Sequence, residues 1–134
     1  MYVRRNEKGI SVFARRDIVK GEHVCEYKGE LCTYKVFKER HQKYDMAGKG
    51  SYILEFKYRE QRWAIDATKD DNSVGRLINH SKRFPNIKPQ VADKRGKPYV
   101  YFVAISDIPE DCELLYDYGD KDRDAIQSFP WLRQ

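Results

Sequence analysis

Hydrophobic and polar positions alternate along this chain in short bursts, and most of the bursts have the period of strands. Gly9 to Ala14 alternates and is rich in β-formers, as is His23 to Tyr27, with Lys20-Gly21-Glu22 as a turn between them. From Thr33 to about Asp45 the period changes. Val36, Phe37, Arg40 and Tyr44 recur at helical spacing, Thr33 supplies an N-cap oxygen, and Gly48 and Gly50 end the element. Ser51 to Lys57 and Arg62 to Asp66 predict a hairpin joined by the polar turn around Arg59-Glu60-Gln61. Asp70-Asp71-Asn72-Ser73 offers capping oxygens to a short helical turn through Gly75-Arg76-Leu77-Ile78. A second hairpin follows, with Ile87 to Ala92 and Tyr99 to Ile105 flanking Lys94-Arg95-Gly96. Pro109 closes a loop before the strand Glu113 to Tyr116, and Lys121 to Ser128 is helical in pattern, ending at Phe129-Pro130-Trp131. No repeat, linker or low-complexity stretch is visible. Many short strands with one or two short helices predict a mainly β fold of small sheets rather than βαβ units.

Composition narrows the class. At 134 residues the chain is expected to be one domain, 1–134, including a short flanking helix over about 121–134. A hydrophobic fraction of 40%, with ten tyrosines, is enough to fill a core. No apolar run approaches the roughly 18 residues of a membrane span, and the start lacks a signal peptide's apolar stretch. Met1-Tyr2-Val3 leads almost at once into patterned sequence, as in a piece of a longer protein.

Cys25, Cys32 and Cys112 are too few and too scattered for a disulfide scaffold or a zinc site. Cys25 and Cys32 are near enough in sequence to meet, but free intracellular thiols are the expectation. His23, His41 and His80 show no ligand spacing, so no metal is expected.

The net charge of +5 is unevenly spread. Residues 82 to 97 carry Lys82, Arg83, Lys88, Lys94, Arg95 and Lys97 against only Asp93. Residues 107 to 124 reverse this, with Asp107, Glu110, Asp111, Glu113, Asp117, Asp120, Asp122 and Asp124 against Lys121 and Arg123. Such runs are either solvated faces or a division of labour. In the second case an acidic wall attracts a basic peptide and basic patches touch nucleic-acid phosphates. Charge alone does not choose.

No Gly-x-Gly-x-x-Gly opens a helix after a strand, and there is no P-loop. Asn79-His80-Ser81 is not a nucleophilic relay, because adjacent residues on a strand do not face one another. Two segments remain unexplained by packing: Gly75-Arg76-Leu77-Ile78-Asn79-His80-Ser81 and Glu113-Leu114-Leu115-Tyr116-Asp117-Tyr118-Gly119-Asp120. The first sets three polar groups directly after an apolar Leu-Ile step. The second holds two tyrosines at i, i+2 beside a glycine.

Together these segments resemble the signature of SET-domain protein lysine methyltransferases, in which the two cross to build one active site. The likeness runs from about Lys8 to Gln134 and is closest to the enzymes that monomethylate lysine twenty of histone H4. It is carried also by Cys25-Glu26-Tyr27-Lys28-Gly29-Glu30, Asp66-Ala67-Thr68 and the ending Pro130-Trp131-Leu132. The resemblance implies a fold of small β-sheets around a pseudoknot of the two crossing segments. It implies S-adenosyl-L-methionine as cofactor, a histone H4 tail within nucleosomes as partner, a monomer, and a nuclear, chromatin-associated setting without a membrane. Where most histone-directed members end in a zinc-binding cysteine cluster, a short helix and Trp131 stand here, as in the histone H4 subgroup.

Residue by residue, the resemblance assigns Lys8 and Gly9 to the loop holding the cofactor's methionine end, with Tyr52 beside it. Asn79 and His80 contact the cofactor, Arg76 supports the crossing, and Trp131 covers the adenine. Tyr118 is the catalytic tyrosine at the methyl-transfer pore, Tyr27 and Tyr116 line the lysine channel, and Asp120 meets the basic peptide. Tyr34, Tyr44 and Tyr58 are read as core fillers. Arg4, Arg5, Lys94 and Arg95 are the candidates for contact with DNA phosphates.

The chemistry agrees with such a channel. A lysine of pKa near 10.4 is neutral in only about one molecule per thousand at pH 7.4. Apolar walls and a neighbouring sulfonium both lower that pKa, and tyrosine supplies an apolar wall with a polar tip. A hydroxyl at position 116 can hold a water where a bulkier methylated amine would sit, so Tyr116 predicts monomethylation. One departure stands out: the family's Gly-x-Gly loop reads Gly9-Ile10-Ser11 here. Serine disfavours positive φ, which predicts a different loop and puts cofactor affinity, more than catalysis, at stake. The alternatives are a SET enzyme of another histone or non-histone lysine, a catalytically silent module holding a basic tail, and a nucleic-acid-binding domain with no cofactor.

Overall fold

The computed structural model describes residues 1–7, 9–46, 52–69 and 73–117. In chain order the elements are β1 (Tyr2–Asn6), β2 (Gly9–Phe13), β3 (His23–Glu26), β4 (Glu30–Thr33), helix α1 (Tyr34–Met46), β5 (Ile53–Tyr58), β6 (Gln61–Asp66), a 3-10 turn (Gly75–Leu77), β7 (Asn79–His80), β8 (Ile87–Lys94), β9 (Lys97–Ala104) and β10 (Leu115–Tyr116). The helix and both hairpins stand where the periodicity puts them. The glycines meant to end α1, the residues Asp70 to Asn72 and the tail helix lie outside the described residues. The 3-10 turn has Val74 at its N-cap, with no side-chain cap. The chain divides into two compact units, one from Met1–Tyr27 and the described residues from Ser73 onward, the other from those of Lys28–Asn72.

In the first unit β1 and β2 form a two-stranded ribbon, and a five-stranded sheet runs β3-β9-β8-β10-β7. The β3-β9 and β9-β8 pairs are antiparallel, whereas β10 is parallel to both β8 and β7. Val12, Val100, Phe102, Ile108, Leu114, Ile78 and Ile87 are almost wholly buried and form its core. Each such side chain contributes roughly 1.5–3 kcal/mol by leaving water.

This unit contains a short repeat that the sequence reading missed. Ala14 to Cys112 is held by bonds that recur in mirrored pairs. Ile18 and Ile108 exchange both backbone bonds at 2.8 Å, and Gly21 N–H donates to Ala104 O as Asp111 N–H does to Ala14 O. Glu110 N–H donates to the Asp17 carboxylate, and Lys20 N–H to that of Asp107. Gly21 and Asp111 both take positive φ, at 90° and 71°. The two loops are therefore a local two-fold pair. Only Ala, Asp and Ile are shared at matching positions (Ala14 and Ala104, Asp17 and Asp107, Ile18 and Ile108), too little identity to stand out in the sequence.

In the second unit the sheet order is β4-β6-β5, all antiparallel. Cys32, Leu54, Phe56, Ala64, Ile65 and Ala67 are its buried apolar residues. Thr33 caps α1 as expected, its Oγ1 accepting from Val36 N–H at 3.4 Å. Gly29 lies against β6, where a Cβ would meet Asp66 O at 2.7 Å.

Candidate active site

The two segments singled out in the sequence lie side by side. Leu115 is paired with Asn79, and Tyr116 with both His80 and Ile87. Ser81 N–H donates to Tyr116 O at 3.0 Å and Asn86 N–H to Leu115 O at 2.9 Å. The Asn86 carboxamide extends the ladder, donating to Glu113 O at 2.8 Å and accepting from Leu115 N–H at 2.9 Å. A third segment joins from the N-terminal ribbon, where Leu114 N–H donates to Val12 O at 2.8 Å.

Tyr27 and Tyr116, both buried, meet on one ring. Phe102 lies edge-on to Tyr27, with centroids 6.3 Å apart, and tilted against Tyr116 at 4.7 Å. Phe102 was not singled out in the sequence. Its only signal there is its place in the alternation of β9, where Val100, Phe102 and Ala104 are buried in turn. Tyr27 is fixed by its N–H to Val100 O at 2.9 Å. The 3-10 turn closes on the same backbone: a Cβ on Gly75 would come 2.6 Å from Glu26 O and 3.3 Å from Tyr27 Cα. Glycine is required there by space.

The polar edge is built around Asn79. Its Nδ2 donates to Ile10 O at 2.8 Å and to Glu113 Oε2 at 3.1 Å, with Ser11 Oγ at 3.4 Å. One carboxamide thus ties β2, β7 and the approach to β10. His80 Nδ1 lies 4.0 Å from Asp117 Oδ1, an ion-pair distance when the imidazole is protonated. Arg76 is half-buried in the 3-10 turn. Gly9 has φ +127°, and nothing lies within 4 Å of where its Cβ would be. Ser11 is an ordinary β2 residue opposite Arg4, outside the positive-φ set, as expected of a serine. Part of the acidic run has local work, since Asp111 accepts from Tyr2 Oη at 2.6 Å and Asp107 from Lys20 N–H. Cys25, Cys32 and Cys112 are free thiols, and burial pushes Cys25 up to about 12.

Tyr52 belongs to the second unit. Its N–H donates to Thr68 Oγ1 at 3.1 Å and its O accepts from Ala67 N–H at 2.7 Å. Thr68 N–H in turn donates to Asp66 Oδ1 at 3.0 Å, while Tyr44 Oη at 2.8 Å and Arg40 Nη1 at 3.1 Å hold Asp66 Oδ2. Arg40 also makes two bonds to Glu30, at 2.9 and 2.7 Å. Burial pushes the Asp66 carboxyl up, but the bonds from Thr68, Tyr44 and Arg40 outweigh it and hold the group below its usual range. The Arg40 bonds hold Glu30 low as well. Tyr44 is therefore more than a core filler. Lys8, Tyr118, Asp120 and Trp131 lie outside the described residues.

Comparison with known proteins gives this arrangement a family. A family model described as SET domain matches residues 9–119. The chain belongs to the SET-domain family. It is 41% identical over 127 residues to the N-lysine methyltransferase KMT5A-A of Danio rerio, covering 94% of this chain and 37% of that protein. It is 38% identical over 126 residues to the histone-lysine N-methyltransferase set-1 of Caenorhabditis elegans, covering 93% of this chain and 52% of that one. Among solved structures, CpSET8 from Cryptosporidium matches with a TM-score of 0.85 and 39% identity, over 90% of this chain and 57% of that chain. The SET domain here thus spans about a third to a half of the curated relatives it matches. The mainly β fold expected from the sequence is that of the family.

Proposed function

We propose that this SET domain is a protein-lysine N-methyltransferase that transfers one methyl group from S-adenosyl-L-methionine to lysine twenty of the histone H4 tail. The observation that carries the reading is the parallel pairing of Asn79-His80 with Leu115-Tyr116, next to the Tyr27-Phe102-Tyr116 ring cluster. Together they give a polar edge beside an apolar aromatic wall, which an electrophilic donor and an uncharged amine require.

The residues present fit the cofactor. Gly9 leaves open space beside a backbone in the left-handed region, and β7 ends its sheet, so its outer backbone edge can meet a ligand. Bound there, S-adenosyl-L-methionine supplies a methyl group on a sulfonium. Gly9, Tyr52, Asn79 and His80, with Lys8 and Trp131, would hold it, and Arg76 supports the strand crossing. Tyr27, Phe102 and Tyr116 exclude water from the lysine, which favours its neutral form. Tyr118 orients the amine through its hydroxyl, and in-line geometry does most of the rest. Asp120 and the exposed members of the acidic run draw in a basic peptide.

The relatives' names as histone-lysine and N-lysine methyltransferases support a histone target and a nuclear, chromatin-associated setting. The test is a peptide array of histone tails incubated with the cofactor and scored by mass. One added methyl group, on the histone H4 peptide and lost when its lysine twenty is replaced, is expected. Methylation of other peptides only would assign the domain to a different lysine.

A further inference from the structure

We propose that the outer face of the β3-β9-β8 strands is a platform for single-stranded nucleic acid, independent of the methyl-transfer reading. Side chains alternate between faces along a strand, and directly paired residues share a face. On β9, Pro98, Val100, Phe102 and Ala104 are buried, which turns Lys97, Tyr99, Tyr101 and Val103 outward. Their partners across the ladder, Lys94, Ala92, Gln90 and Lys88, share that face.

Three rings form a continuous row on it. His23 stacks on Tyr101 with centroids 5.0 Å apart at 20°, and Tyr99 lies 5.8 Å from Tyr101 at 35°. Tyr101 Oη donates to Gln90 Oε1 at 2.9 Å, which fixes the middle ring. Lys94 Nζ sits 5.9 Å from the centre of Tyr99. His23 is exposed, and Tyr99 and Tyr101 are half-exposed rather than buried in a core.

Charge selects the occupant. Lys88, Lys94, Arg95 and Lys97 are all exposed around the row. Of the carboxylates nearby, Asp93 is engaged by Gly96 N–H at 2.9 Å and pairs with the inward Pro98, which puts it on the other face. Glu26, paired directly with Tyr101, shares the face and is outnumbered by the four cations. Rings in file on a sheet, rimmed by cations, match successive splayed bases and their phosphates. A duplex keeps its bases stacked and offers the rings nothing, so a duplex meets only the cations. The same rings and cations offer little to an acidic peptide, which lacks flat groups to stack.

The test is fluorescence anisotropy of a labelled single-stranded RNA of roughly 12 nucleotides, within the usual span of such sites, against its duplex. The wild-type chain should bind the single strand at least about tenfold more tightly than the duplex. Tyr99→Leu and Tyr101→Leu should each weaken binding by about 5- to 100-fold, the range of one lost base stack. Lys94→Glu/Lys97→Glu should weaken it and reduce its salt dependence. Urea midpoints check that each variant is folded. His23 is exposed, so where a Tyr99 or Tyr101 variant unfolds His23→Ala decides: it must weaken binding of the single strand while leaving that of the duplex unchanged. Equal affinity for duplex, wild-type binding by folded ring variants, or binding of an acidic peptide but not RNA would overturn the proposal.

Discussion

The ring of Tyr116 is packed against Phe102, so its hydroxyl is the only part of the side chain that one substitution removes without disturbing the wall. Tyr116→Phe should leave the fold and the first methyl transfer intact while dimethyl product accumulates, read by mass spectrometry of a product time course. A variant yielding no more dimethyl-lysine than wild type would remove channel size as the basis of product choice. At Cys25 the burial that pushes the thiol up to about 12 leaves almost no thiolate at pH 8. Cys32 is buried and shifted the same way, whereas Cys112 is exposed. Iodoacetamide at pH 8 should therefore label Cys112 first, with the other two modified only on unfolding; peptide mapping reads the order.

Short elements here are shaped by turns and charges that propensity alone does not favour. The β5-β6 hairpin turns through Arg59 and Glu60, at φ 52° and 63°, a left-handed pair that costs non-glycine residues roughly 1–2 kcal/mol each. Arg59→Asn/Glu60→Gly supplies the residues such a turn prefers and should stabilise the fold by about 1 kcal/mol, as a higher urea midpoint at unchanged slope. The Arg40-Asp66-Glu30 cluster predicts acid sensitivity. Both carboxyls have folded-state values held low, so their contribution is complete above the unfolded value of about 4 and is lost as pH falls through the folded one. Asp66→Asn should lower stability at pH 7 by about 1.5–3 kcal/mol, the worth of bonds to a charged group. It should also flatten the fall in melting temperature below pH 5.

How far the sequence can be read follows from the length of each element. The helix, both hairpins and the Thr33 cap are legible because several residues in a row carry the period. β7 and β10 have two residues each, and no periodicity pairs Asn79 with Leu115 across the chain. Only the motif likeness brought those segments together. β4 went unread, as did Asn86 and Phe102, because each acts through a partner far away in sequence. β1 went unread because Arg4-Arg5-Asn6 breaks the apolar alternation, although its partner β2 follows directly.

At the scale of the molecule, one unit assembles the parallel pair β7 and β10, the ring cluster and the Asn79 tie, while the other fixes the backbone of Tyr52 through a charged network. The SET family match runs through both. The most direct measurement is transfer of labelled methyl from S-adenosyl-L-methionine to reconstituted nucleosomes, with the modified residue mapped by mass, for the wild-type chain and Tyr118→Phe. A single methyl group on lysine twenty of histone H4 is expected, with a loss of at least about tenfold in rate in the variant, the low end of what positioning groups contribute. Absence of label from the wild type at saturating cofactor, or an undiminished rate in Tyr118→Phe, would contradict the proposed function.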